Sequence, residues 1–179
     1  IAFGGDQAGS IRIPASWCGV LGLKATWGLI PHTGVVGIDA IIDHVGPMAR
    51  TVEDLANALE SVAGQDGQDT RQGDAPTSLP RYSQVMEEGI KGLRIGLLRE
   101  GFDIDGAEPD VDAAVKKAVV TLERVGATVE EVSVGIHRQV APVHMALRSE
   151  AWKRQYDSNL VVGSPGSHYP LSLMQAFGR

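Results

Sequence analysis

Disulfides, membrane spans and paired metal ligands are all missing from this chain. Cys18 is the only cysteine in 179 residues, so no intrachain disulfide can form and a reducing, cytoplasmic setting is expected. No run of about 18 apolar residues occurs, which leaves no transmembrane helix to expect. The net charge is −6 and Lys and Arg are nowhere clustered, so neither nucleic acid nor a membrane is an expected partner. His32, His44, His137, His144 and His168 are scattered without ligand spacing, and there is no His-Glu-x-x-His or paired-Cys motif. Neither a metal nor another cofactor is therefore expected. Asp103, Asp105, Glu108, Asp110 and Asp112 lack the glycine and terminal glutamate of a calcium loop, and read as the solvated start of a helix.

What is present is a chain with apolar material for a core, 43% of its residues, and an uneven distribution of glycine. Residues 1–50 hold Gly4, Gly5, Gly9, Gly19, Gly22, Gly28, Gly34, Gly37 and Gly46, a density that excludes long helices and implies close backbone approach. The pattern then changes. Val52, Leu55, Ala56, Leu59 and Val62 recur at helical spacing, with Thr51 as N-cap, Asp54 at the acid position of a capping box and Gly64 as terminator. Residues 65–91 are polar and read as a surface excursion.

A strand–helix–strand unit follows: Leu93 to Leu98, a helix from Asp110 to Val125 opened by Pro109 and closed by Gly126, and a strand from Thr128 to Val134. Such a unit makes parallel neighbours in an α/β sheet. After Pro142 the pattern is helical to about Leu160, then loops through Gly163, Pro165 and Gly166. The expected organisation is thus a core segment at 1–64, the excursion at 65–91 and an α/β segment at 92–179, within an α/β fold of mixed, mostly parallel sheet covered by helices. Ile1-Ala2-Phe3 begins inside a strand pattern, with no initiator Met, charged leader or long apolar stretch, and Gln175 to Arg179 stops mid-pattern. No signal peptide is expected, and the chain reads as an internal fragment of a longer domain.

The chemistry is concentrated in Gly4-Gly5-Asp6-Gln7-Ala8-Gly9-Ser10-Ile11-Arg12-Ile13-Pro14-Ala15-Ser16. A strand ends in a turn of small residues that delivers a serine to the start of a short helix. Backbone N–H groups in such a turn can stabilise an oxyanion, and a serine beside them can attack a carbonyl if a base is near. Asp6 and Arg12 flank the serine at a spacing that lets them pair and stiffen the turn. A plain helix cap or an anion-binding loop has the same composition. No Gly-Lys-Ser/Thr follows, and Gln7 and Ala8 break the dinucleotide spacing. Cys18, between Trp17 and Gly19 in an apolar run, reads as a buried structural thiol, and Trp17 and Trp27 as core residues or walls of an acyl pocket.

The run resembles the amidase signature family, whose core is G-[GST]-D-x-G-G-S-[IV]-R-x-P. The similarity continues in order through Trp17 to Gly28, Asp43 to Asp54 and Gly92 to Gly96, and spans residues 1 to about 135. Gly-Gly-Asp-Gln before the serine and Ile13 after Arg12 look most like bacterial amidases of nitrile and amide degradation. The resemblance implies a Ser–cis-Ser–Lys triad with Ser10 as nucleophile, and N–H groups of Gln7, Ala8, Gly9 and Ser10 as the oxyanion hole. It implies a small-molecule amide substrate, an acyl-enzyme and release of ammonia, and it allows a homodimer. The base and the bridging serine of that pattern lie upstream of Ile1, and Lys24 matches a different segment, so the chain taken alone is expected to be inactive. Ala8 stands where the family has glycine. If that residue takes a positive φ, alanine costs about 1 kcal/mol. Ala25 replaces a proline. Two other readings stay open: the amidase-like subunit of a tRNA-dependent amidotransferase, in which Gln replaces Ile13, and a non-catalytic remnant.

Overall fold

A computed structural model describes residues 1–73 and 75–157. The expected end of the last helix at Leu160, the loop beyond it and His168 lie outside the described residues. The chain divides into two compact units, Ile1–Glu87 with His144–Arg179, and Glu88–Val143.

The first unit is built on three antiparallel strands in the order β1-β3-β2: β1 at Ala2–Asp6, β2 at Leu21–Gly22 and β3 at His44–Ala49. β1 runs against β3 from Ala2 opposite Met48 to Asp6 opposite His44, and β2 joins the other edge with Leu21 opposite Ala49. Leu23 N–H extends that pairing to the Pro47 carbonyl at 3.0 Å. Between β1 and β2 lies α1, Arg12–Trp17. As the glycine density requires, it is only six residues long.

Two side chains pack α1 against the sheet: Ala15, whose Cβ lies 2.8 Å from where one on Gly22 would stand, and Ile11. Ile11, just before the helix, is completely buried. It rests on three glycines, one from each strand. A Cβ placed on Gly4 would sit 3.4 Å from Ile11 Cγ1, one on Gly22 3.2 Å from its Cγ2, and one on Gly46 3.0 Å from its Cδ1. At Gly46 the backbones also converge, since a Cβ there would lie 2.0 Å from the Leu23 carbonyl oxygen.

α2, Val52–Val62, forms where the period changes. Thr51 is extended, and its Oγ1 accepts from Asp54 N–H at 3.0 Å, the N-cap bond its position foretells. Glu53 and Asp54 place negative charge at the positive end of the helix dipole. Leu59 packs with Ala25 and Ile30 in the core, flanked by Leu23, Leu29, Val45, Val62 and Tyr82. In the segment after α2, Gln72 is buried in a 3-10 turn, and its amide donates to the carbonyls of Gly28 and Gly64, both at 2.8 Å. A short helix, α3 at Tyr82–Val85, is fixed by Glu60 of α2, which accepts from Ser83 N–H and Ser83 Oγ, each at 2.7 Å.

The second unit has the expected strand–helix–strand order. β4, Arg94–Leu98, and β5, Thr128–Val132, are parallel and paired from Arg94–Thr128 to Leu98–Val132. α4, Pro109–Arg124, connects them, with Pro109 in its first turn and Gly126 at φ 105° beyond its end. Val119 and Leu122 are half-buried, while Val111, Val115 and Val125 on the same helical face are exposed. Glu100 closes the corner after β4. Hydrogen bonds from the Ser133 hydroxyl and the Val134 N–H hold its carboxyl down at about 2. A last helix, α5, covers Val140–Asp157. Among the described residues no helix is long and apolar enough to cross a membrane.

The fit of Ile11 over the glycines sets a stability test. Ile11→Ala is expected to cost about 2–5 kcal/mol in urea unfolding, the range for emptying a buried aliphatic site. Gly46→Ala is expected to be worse than Gly5→Ala, because the Cβ at Gly5 meets only the His44 carbonyl at 3.8 Å.

Candidate active site

The turn from β1 into α1 is organised by one carboxylate. Asp6 ends β1 and is 1% exposed. Its Oδ1 accepts from Gly9 N–H at 2.7 Å and its Oδ2 from Ile11 N–H at 3.2 Å. Arg12 completes a two-pronged pair, Nε to Oδ2 at 3.0 Å and Nη2 to Oδ1 at 3.1 Å. Burial alone raises the Asp6 carboxyl. The hydrogen bonds from Arg12, Gly9 and Ile11, with the charge of Arg12, more than reverse this and bring it to about 2. The Arg12 guanidinium is held correspondingly higher by its bonds to Asp6. The flanking pair expected from the sequence is thus formed.

Around this anchor the chain turns through Gln7, Ala8, Gly9 and Ser10. Ser10 is exposed, and no hydrogen bond engages its hydroxyl among the described residues. Gly9 supplies the sharp part of the turn, with φ 127°, and a Cβ there would lie 2.7 Å from Ile13 Cδ1. It is therefore glycine by conformation and by space. The only non-glycine residue with positive φ among those described is Asp103, so Ala8 does not carry the left-handed strain its position raised. Of the four N–H groups anticipated at the oxyanion hole, that of Gly9 is taken by Asp6, whereas no bond involves those of Gln7, Ala8 and Ser10 among the described residues. A cavity of about 320 Å³ adjoins the turn, lined by Ala8, Gly9, Arg12, Ile13, Ser16 and Trp17.

Three expectations need correction. Cys18 is exposed, not buried. It is the C-cap, past the last helical residue, and its N–H closes on the Pro14 carbonyl before the chain leaves through Gly19 at φ 64°. Trp17 is 85% exposed and not a core residue, because Ile11 and Ala15 take the inward face of so short a helix; on the other side it lines the cavity beside the turn. Trp27 is also exposed, its indole N–H reaching the Ala40 carbonyl at 3.3 Å. Lys24 Nζ donates to the adjacent Ala25 carbonyl at 3.2 Å.

One residue of the site was visible in the sequence only as the first letter of a downstream match. Asp43, buried, accepts from the Gln7 side-chain amide with Oδ1. Its Oδ2 accepts from Ile38 N–H at 2.6 Å and Asp39 N–H at 2.9 Å. Its position at the mouth of β3, opposite the end of β1, brings it to Gln7.

A family model described as Amidase matches residues 1–172. The chain belongs to the amidase family. A glutamyl-tRNA(Gln) amidotransferase subunit from Microcystis aeruginosa is 42% identical over 144 residues, which is 80% of this chain and 29% of that protein. The crystal structure of the subunit of the same name from Thermotoga maritima matches 98% of this chain and 37% of that one, with a TM-score of 0.78 and 29% identity. The peptide amidase of Stenotrophomonas maltophilia matches 88% of this chain and 33% of its own, with a TM-score of 0.72 and 31% identity. The chain thus spans under a third of the curated relative and little more than a third of the solved ones. The mixed α/β class expected from the sequence is that of these amidases. Its parallel pair is β4–β5, and the strands that carry the site are antiparallel.

The Asp6 carboxylate gives the amidase segment a defined acid response. Its folded value lies below the ordinary 3.8, so its contribution, about 2 kcal/mol, is complete above about pH 4 and is lost as pH falls through about 2. Glu100 titrates in the same direction over the same range. Unfolding free energies measured at about pH 5 and about pH 2.5 should differ less in Asp6→Asn than in the parent. The remaining slope belongs to Glu100 and other carboxylates.

Proposed function

We propose that the protein is a serine amidase that hydrolyses a carboxamide to a carboxylic acid and ammonia, R-CO-NH₂ + H₂O → R-COOH + NH₃, with Ser10 as the nucleophile. The observation that carries this reading is the exposed, unengaged Ser10 hydroxyl at the end of a turn whose geometry is imposed by the buried Asp6. Ser10 Oγ attacks the carbonyl carbon as its proton passes to a base. The oxygen that becomes negative is met by N–H groups of the turn, those of Gln7, Ala8 and Ser10, because Gly9 N–H is committed to Asp6. Collapse of the tetrahedral intermediate expels ammonia, which takes up the proton, and leaves an ester on Ser10. Water then cleaves that ester. In this reading the base is the lysine of the family pattern, acting through a second serine, and both are supplied from outside the described residues. Asp6 and Arg12 touch no substrate; they hold the turn.

A second reading is supported by the relatives named as glutamyl-tRNA(Gln) amidotransferase subunits, with 39% to 44% identity. There the same serine would release ammonia for a partner protein instead of for solution. Ile13 favours the free amidase. Its side chain packs over Gly9 and forms an apolar wall of the cavity, where the amidotransferase pattern has Gln.

The test uses the expressed full-length gene product. It should turn over simple aliphatic or aryl amides and be labelled by a fluorophosphonate on Ser10, and Ser10→Ala should lose both, turnover by roughly a thousandfold or more. Retained turnover in Ser10→Ala overturns the assignment. Co-purification of a stable partner on which ammonia release depends would move the reading to the amidotransferase.

A further inference from the structure

The Asp43 carboxylate is the buried acid of this unit that the chemistry above does not use. It is 6% exposed and makes no ion pair among the described residues, in contrast to Asp6 with Arg12 and Asp69 with Arg71. A buried carboxylate without a cation is costly unless its oxygens are filled by hydrogen-bond donors. Here the donors come from two places distant in sequence. Oδ2 takes the N–H groups of Ile38 and Asp39, and the Asp39 carbonyl in turn accepts Asp43 N–H at 2.9 Å, closing residues 38–43 into a compact turn. That turn is tied further by Ile41 N–H to Asp39 Oδ1 at 2.8 Å and by Trp27 Nε1 to Ala40. Oδ1 takes the side-chain amide of Gln7. That bond joins the side chain of the serine-bearing turn directly to the 38–43 turn.

Gln7 lies three residues before Ser10, and its backbone N–H is one of the three left open in the turn. The turn is therefore held at two points. Asp6 fixes its far end through Gly9 and Ile11, and Asp43 fixes its near end through Gln7. We propose that Asp43 is a positioning residue for the amidase reaction, clamping Gln7 and the 38–43 turn into one rigid piece so that the Gln7–Ala8 peptide faces the oxyanion. Its role rests on the reading of Ser10 as nucleophile. Asp43 touches no reacting atom. An error in the Gln7–Ala8 peptide plane weakens a bond that is strongest in the transition state, so the effect belongs in kcat and not in KM.

The experiment compares Gln7→Leu, Asp43→Asn and the double variant in the full-length gene product, with Ser10→Ala as control. Gln7→Leu removes only the side-chain bond and leaves the 38–43 turn its own donors. Asp43→Asn cannot accept on both sides, so either Gln7 or the two loop N–H groups lose their acceptor. Each single variant should lower kcat roughly tenfold with KM within about twofold, slow fluorophosphonate labelling in proportion, and keep its melting temperature close to the parent's in Gln7→Leu. The double variant should lose no more than the worse single one, because both remove one bond. Unchanged kcat in Gln7→Leu, or losses that multiply in the double variant, would overturn the clamp. If Asp43→Asn does not fold, Gln7→Leu decides alone. Should Ser10→Ala keep full activity, it is the nucleophile assignment that fails. An inactive Ser10→Ala beside an unaffected Gln7→Leu rejects only the clamp.

Discussion

A charge buried at the end of a strand is the constraint around which this part of the amidase is arranged. Asp6 is out of water, and a carboxylate there is tolerated only when its oxygens are filled. The chain fills them by wrapping. Residues 9, 11 and 12 all turn their donors toward it, which forces the backbone between strand and helix into a tight coil. Ser10 lies between two residues whose N–H groups point inward, and is left facing out. The exposure of the proposed nucleophile follows from the satisfaction of the acid, and the same bonds keep that acid ionised over the range in which proteins work.

Much of this could be read from the chain before any coordinates. The Asp6–Arg12 spacing, the Thr51 cap, the change of period at Val52 and the β4–α4–β5 unit rest on local rules, and local rules survive folding. The amidase motif also located the serine. What escaped was set by distant contacts or by helix length. Trp17 and Cys18 sit in an apolar run, but a helix of six residues offers the sheet a single stripe, which Ile11 and Ala15 occupy. The composition of the turn suggested strain at Ala8, whereas the left-handed residue is Gly9, a distinction that needs backbone angles. The bond between Gln7 and Asp43 joins residues 36 apart, and no pattern in either segment announces it.

Glycine and charge divide the work of the site. The glycines let three strands and a helix meet at distances that side chains would forbid, and so give the turn its place. The carboxylates, Asp6 at one end and Asp43 at the other, give it its shape. Gln72 does comparable work further off, where one amide joins the carbonyls of Gly28 and Gly64 and ties the segment after α2 to the core beneath. In each case a polar group enters the interior because the backbone around it has donors or acceptors with no other partner.

The seat of Ile11 on Gly4, Gly22 and Gly46 makes these four positions epistatic. A methyl group at Gly4 meets only side-chain atoms, Met48 Cε at 3.3 Å and Ile11 Cγ1 at 3.4 Å, which can move aside by the few tenths of an ångström it needs. Gly46 has no such escape, since the Leu23 carbonyl blocks it whatever residue 11 becomes. Sequence drift can therefore enter this seat at Gly4 more readily than at Gly46, where backbone stands in the way. Because Ile11 is bonded directly to Ser10, any change that shifts the isoleucine in its seat also shifts the footing of the proposed nucleophile.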